Sequence, residues 1–100
     1  MIRHIVMFRL KEYPSPAEKQ KAAKEVLDQL LLLPSKISVI RTFEAGINIC
    51  TDAWAYDLVL DSTFDSEADL EIYRYHPDHL AFIAFNRNYS ADKAVTDFVL

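Results

Sequence analysis

The sequence predicts an α+β fold, with one four-stranded antiparallel sheet and its helices on one face. Two observations carry that expectation. Four segments show strand-like apolar patterning, at Ile2–Leu10, Ile37–Glu44, Ala55–Ser62 and Lys93–Leu100. Two serine-led helix starts, at Ser15 and Ser66, separate the first strand from the second and the third from the last. The chain has 100 residues, 51% of them hydrophobic, which suits one domain, residues 1–100, with one core.

The elements follow in order. Along the first strand Ile2, His4, Val6, Phe8 and Leu10 share one face, and Ile5 and Met7 occupy the other between Arg3 and Arg9. Apolar residues on both faces call for cover on both sides. Ser15-Pro16-Ala17-Glu18 then combines an N-cap, a proline at the first helical position and a capping-box acid. Ala22, Ala23, Val26, Leu27, Leu30 and Leu33 form the helix stripe, and Pro34 ends it. The second strand runs from Ile37 to about Glu44, with Gly46 as a bend or bulge. After a loop at Thr51-Asp52-Ala53, the third strand sets Tyr56, Leu58 and Leu60 against Asp57, Val59 and Asp61. Ser66 caps a helix reaching Tyr75, Pro77 starts a further helical stretch over His79–Asn88, and the last strand closes the chain. The order β-α-β-β-α-(α)-β is the ferredoxin-like plan.

Composition narrows the function classes. A net charge of −4 argues against nucleic acid, which needs a basic patch. Lys19, Lys21 and Lys24 alternate with Glu18 and Glu25, as on a solvated helix face. The single cysteine, Cys50, rules out an intrachain disulfide and reads as a structural residue in a reducing cytoplasm. The N-terminus runs straight into a strand, without a signal-peptide pattern. The longest apolar run, Leu30–Leu33, is too short to span a membrane. Gly46 is the only glycine, so no phosphate-cradling loop is available.

Helices cover one face of such a sheet, yet the strands place Ile5, Met7 and Val59 on the other. An exposed apolar patch of that kind is uncommon in monomers, and the same face of a second copy is the simplest cover. A homodimer is therefore expected.

Chemistry concentrates in Tyr73-Arg74-Tyr75-His76-Pro77-Asp78-His79, which holds two of the three histidines. His79 can exchange a proton near neutral pH, and a nearby tyrosine can donate to a developing enolate. His4 shares its strand face with Val6 and Phe8, so if that face meets the helices it points into the same cleft. With Phe82 these residues outline a small apolar pocket with a few convergent polar groups. Each has a plainer reading: His79 as a backbone partner near its helix start, Tyr73 as a core residue beside Leu70, His4 as a satisfied core histidine. His76 reads as a helix-start or turn residue. His76 and His79 alone are too few ligands for a metal site, and no motif indicates haem or another cofactor.

The segments His4-Ile5-Val6-Met7-Phe8-Arg9-Leu10, Glu44-Ala45-Gly46-Ile47-Asn48, Tyr56-Asp57-Leu58-Val59-Leu60 and Ser62-Thr63-Phe64-Asp65-Ser66, with Tyr73–His79 ending in His-Pro-x-His, resemble the stress-responsive A/B barrel (Dabb) family over nearly the whole chain. The resemblance implies a dimeric α+β barrel with two sheets face to face. Family functions vary: some plant members are stress-linked and form larger rings, and one is a polyketide cyclase working by an aldol step. That enzyme's tyrosine and histidine match Tyr73 and His79, and its first-strand pocket histidine matches His4. Its other pocket histidine falls on Leu58, and two smaller cavity positions become Ile83 and Phe85, which implies a smaller or differently shaped pocket.

Three readings follow. The first is a homodimer binding a small apolar or carbonyl-bearing molecule between sheet and helices. The second is a cofactor-independent cyclase, isomerase or lyase acting next to a carbonyl through Tyr73 and His79. The third is a stress-related assembly protein whose pocket is packed shut. An open cavity touching His79 separates the first two from the third.

Overall fold

The computed structural model describes residues 1–100. Strand β1 (Ile2–Leu10) leads to helix α1 (Pro16–Leu30), a 3₁₀ turn at Leu33–Ser35, strands β2 (Ile40–Ile47) and β3 (Leu58–Phe64), helices α2 (Glu67–Tyr75) and α3 (Pro77–Asn86), and strand β4 (Ser90–Val99). The sheet is antiparallel throughout, in the order β2-β3-β1-β4. This is the ferredoxin-like fold, with all three helices on one face.

Both serine caps form as the sequence implies. Ser15 Oγ accepts from the Glu18 N–H at 3.2 Å, and Ser66 Oγ accepts from the Asp69 N–H at 3.1 Å. Each cap is worth about 1 kcal/mol. The core gathers the inward face of β1 (Ile2, Val6, Phe8, Leu10), the α1 stripe (Ala22, Ala23, Val26, Leu30), Leu58, Leu60 and Phe64 of β3, and Leu70, Tyr73 and Phe82 from α2 and α3. Fully burying a leucine or valine contributes roughly 1.5–3 kcal/mol, so the α1 stripe pins that helix to the sheet.

The strand boundaries differ from the sequence expectation for identifiable reasons. Ile37, expected to open the second strand, is buried beneath the 3₁₀ turn, its N–H donating to the Leu33 carbonyl at 3.0 Å. The strand therefore begins at Ile40 and continues through Gly46, which pairs with Val59 without a bulge; the irregularity lies between Ile40 and Thr42. A Cβ on Gly46 would meet nothing within 4 Å. β3 starts at Leu58 because Asp57 turns its carboxylate to the Leu10 N–H at 2.8 Å and to Lys19 at 2.9 Å. Tyr56 leaves the sheet and carries the Arg9 guanidinium 4.3 Å above its ring. β4 begins at Ser90, three residues before the expected Lys93, because α3 ends at Asn86 and a short turn delivers the chain to Leu10.

The face away from the helices carries Ile5 and Met7 of β1, Val59 of β3 and Phe98 of β4. Met7 is 38% exposed, Val59 40% and Phe98 44%. Arg3 sits among them, its Nε 3.3 Å from Asp61 Oδ1 and its guanidinium 6.0 Å from the Phe98 ring centre. The apolar second face inferred from strand alternation is present, and the chain itself does not cover it.

Candidate functional site

β1 and β4 run beside each other under the corner where α2 meets α3. A cavity of about 700 Å³ lies there, between sheet and helices. His4, Val6 and Phe8 form its floor, Tyr73 and His79 one wall, and Phe82 another, so all six residues singled out from the sequence line one space. The Phe8 and Phe82 rings meet edge to face at 6.1 Å.

The corner itself is set by sequence. The residue before a proline is pushed to extended backbone, and His76 adopts φ −62° and ψ 136°. That ends α2 and starts α3 at Pro77, two residues earlier than expected. His76 is the cap between them, its Nδ1 accepting from the Asp78 N–H at 3.1 Å, which fits its reading as a helix-start residue. Across the corner the Tyr73 and His79 ring centroids are 4.2 Å apart. Tyr73 also packs on Phe64 at 5.1 Å and on His4 at 5.9 Å.

Hydrogen bonding fixes the state of His79. Its Nδ1 lies 2.9 Å from the Arg74 carbonyl oxygen. A carbonyl only accepts, so Nδ1 carries a proton and the neutral ring keeps its lone pair on Nε2. Burial pushes the His79 pKa below the ordinary imidazole value, with the Arg74 carbonyl opposing and the charges of His4, Lys93 and Arg74 assisting. Burial alone pushes the Tyr73 phenol well above its usual range. The side chain is 1% exposed and its hydroxyl has no hydrogen-bond partner in the protein. Tyr73 is thus held as a neutral donor, and its plainer reading as a core residue is also correct for its ring.

His4 is buried, and Asp97 Oδ1 accepts from its Nδ1. Asp97 Oδ2 takes Arg74 Nη2 at 2.6 Å, and Arg74 Nη1 reaches Glu71 at 2.8 Å. The sequence reading missed Asp97, Arg74 and Lys93 here. His4 and Asp97 are direct partners in the β1–β4 ladder, so the inward alternation of Lys93, Val95 and Asp97 was the available signal. Asn86 is also at the cavity, its Oδ1 accepting from Ser90 Oγ at 2.8 Å.

Other expectations resolve differently. Leu58 is buried in the core and does not reach the cavity; Ile83 lines it, whereas Phe85 turns away to stack on Tyr89 at 4.9 Å. Cys50, read as structural, is an exposed free thiol in the β2–β3 loop. No group of three or more His, Cys, Asp or Glu side chains is placed to hold a metal ion, and no helix is long and apolar enough to cross a membrane.

The model of the stress-responsive A/B barrel domain matches residues 2–100. The chain belongs to the Dabb family. An uncharacterised protein of Streptomyces coelicolor is 31% identical over 90 residues, 90% of this chain and 91% of that one. A dimeric protein of unknown function with a ferredoxin-like fold, from Bacteroides fragilis, superposes with a TM-score of 0.86 at 30% identity, covering 99% of this chain and 95% of its own. The hydroxynitrile lyase of Passiflora edulis shares the fold at a TM-score of 0.82 and 22% identity, over 99% of this chain and 90% of its own. The Dabb fold in this chain therefore comes with dimeric neighbours and with the cavity just described.

Proposed function

We propose that this Dabb protein is a cytoplasmic homodimer whose sheet–helix cavity binds a small, mostly apolar molecule through a carbonyl or hydroxyl. Tyr73 and His79 are its polar contacts, and His4, Val6, Phe8 and Phe82 form its walls. The observation that carries the reading is the unpartnered Tyr73 hydroxyl beside a His79 whose Nε2 has no protein partner, both at an open cavity. Both atoms face the cavity without a partner in the protein, so a ligand's polar atom could pair with them. The dimeric Bacteroides relative and the apolar outer sheet face support the second copy, and the lone unpaired thiol suits a reducing compartment.

One observation favours a second reading, acid–base catalysis next to a carbonyl. The tautomer that leaves a lone pair on His79 Nε2 is the one a general base needs, and Tyr73 is placed to stabilise a developing enolate. A lyase on the same fold is consistent with such chemistry. An assembly protein with a closed pocket fits poorly with a cavity of about 700 Å³.

The test is titration with small aromatic ketones followed by NMR, in wild type, Tyr73→Phe and His79→Ala. Binding should perturb β1, α2 and α3 in the wild type and weaken in both variants. Perturbation confined to the outer sheet face would place the ligand elsewhere and end this reading.

A further inference from the structure

The charges at the cavity are unevenly committed. Arg74 is spent on Asp97 and Glu71. Lys93 and Arg87 also line the cavity but take part in none of the protein's ion pairs, whereas Lys19 and Lys24 each have a carboxylate. The acid beside them, Asp92, uses Oδ1 to accept the Lys93 backbone N–H at 2.8 Å. Lys93 faces Phe8 in the β1–β4 ladder, and Val95 faces Val6, so the lysine stands on the inward side of the sheet at the end of an apolar floor. In a chain of net charge −4, the mouth of this cavity carries two free cations against one acid.

We infer that the ligand of this cavity carries a carboxylate, held at the mouth by Lys93 and Arg87 while its apolar body lies on Val6, Phe8 and Phe82. The inference rests on the cavity being a binding site, as proposed above, and names the class of molecule it takes. Two cations at the rim of an apolar cleft attract an anion and set its orientation. The helix end at this mouth is the C-terminal end of α3, capped by Arg87. A helix C-terminus carries partial negative charge, which disfavours a phosphate dianion more than a monoanionic carboxylate. An inward charge on an edge strand also deters edge-to-edge pairing. That role is indifferent to the sign of the charge; carboxylate recognition is not.

The deciding experiment measures, by calorimetry, the affinities of 4-oxo-4-phenylbutanoate and its neutral amide for wild type and for Lys93→Glu. The carboxylate should bind the wild type about tenfold tighter than the amide, the scale of one charge-assisted contact. That preference should vanish or invert in Lys93→Glu, whose far-ultraviolet circular dichroism and melting temperature, matched to wild type, show that it is folded. Arg87→Gln should reduce the preference without removing it. Equal affinity of acid and amide in the wild type overturns the carboxylate assignment and leaves the cavity as a neutral-ligand site. Tighter binding of the phosphonate analogue than of the carboxylate also overturns it. Absence of binding by either probe at millimolar concentration removes this inference and the binding reading together.

Discussion

Tyr73 and His79 stack with their ring centroids 4.2 Å apart and their planes 32° from parallel. The pairing spans two helices. Tyr73 lies near the end of α2, His79 in the first turn of α3, and the extended His76 with Pro77 folds one back on the other. The Arg74 carbonyl, freed at the end of α2, accepts a hydrogen bond from His79 Nδ1–H. One backbone corner therefore sets both rings, the tautomer of one and the burial of the other.

Tyr73→Phe should leave stability within about 1 kcal/mol of wild type, because the hydroxyl it removes faces the cavity and makes no hydrogen bond in the protein. Ketone binding, and any turnover, should fall at the same time. Thermal melts and ligand titrations on one preparation check both. A clear loss of melting temperature would reveal an internal partner for the hydroxyl and weaken its assignment to a ligand.

His79 gives a pH dependence of definite sign. Burial lowers its folded pKa below the unfolded value of about 6.5. Above that value both states are neutral at this site and stability is at its full level. As the pH falls below about 6.5 the unfolded chain gains a proton the folded chain resists, so stability is lost until the folded pKa is passed. Urea unfolding at pH 7.5 and pH 5 should show a smaller loss in His79→Gln than in wild type. An identical loss in both would mean that His79 does not titrate differently on folding.

The cavity floor was legible in the sequence because it lies on a single strand: the alternation of His4, Val6 and Phe8 survives any small error in boundaries. Tyr73 and His79 were legible through one local motif. Alternation groups Lys93, Val95 and Asp97 on one face of β4, but that this face meets His4 and Phe8 depends on the β1–β4 register, a long-range pairing that no local pattern encodes. The start of β2 was misplaced for a related reason. Ile37 and Val39 alternate as a strand would, but Ile37 is taken by the core beneath the turn after α1.

Asp97→Asn should be destabilising by about 1–3 kcal/mol, since it takes a carboxylate from both His4 and Arg74. The asparagine amide keeps one acceptor oxygen, which can serve His4 or Arg74 but not both, so the His4 Nδ1 proton is held less firmly and its ring should exchange between tautomers. Nitrogen-15 imidazole shifts read this directly. Unchanged His4 shifts together with an unchanged melting temperature would show that the Asp97 contact does not order the ring.

The outer sheet face supplies the last prediction. Val59 is 40% exposed at the centre of that face, flanked by Met7 across the β1–β3 ladder and by Gly46 across the β2–β3 ladder. The single tryptophan, Trp54, is 76% exposed, and its carbonyl accepts from Arg9, on the same side of β1 as Met7, at 3.3 Å. A second copy placed on this face would cover Val59 and bring the tryptophan loop near its rim. Sedimentation equilibrium at micromolar concentration should give twice the chain mass, and tryptophan emission should shift to the red on dilution into the monomer range. Val59→Asp should shift the population to monomer or unfold it, because the new carboxylate would be buried without a partner, beside Asp61 and Glu44. A wild-type monomer at these concentrations, with the same emission on dilution, would remove the dimer and with it the explanation for the apolar face.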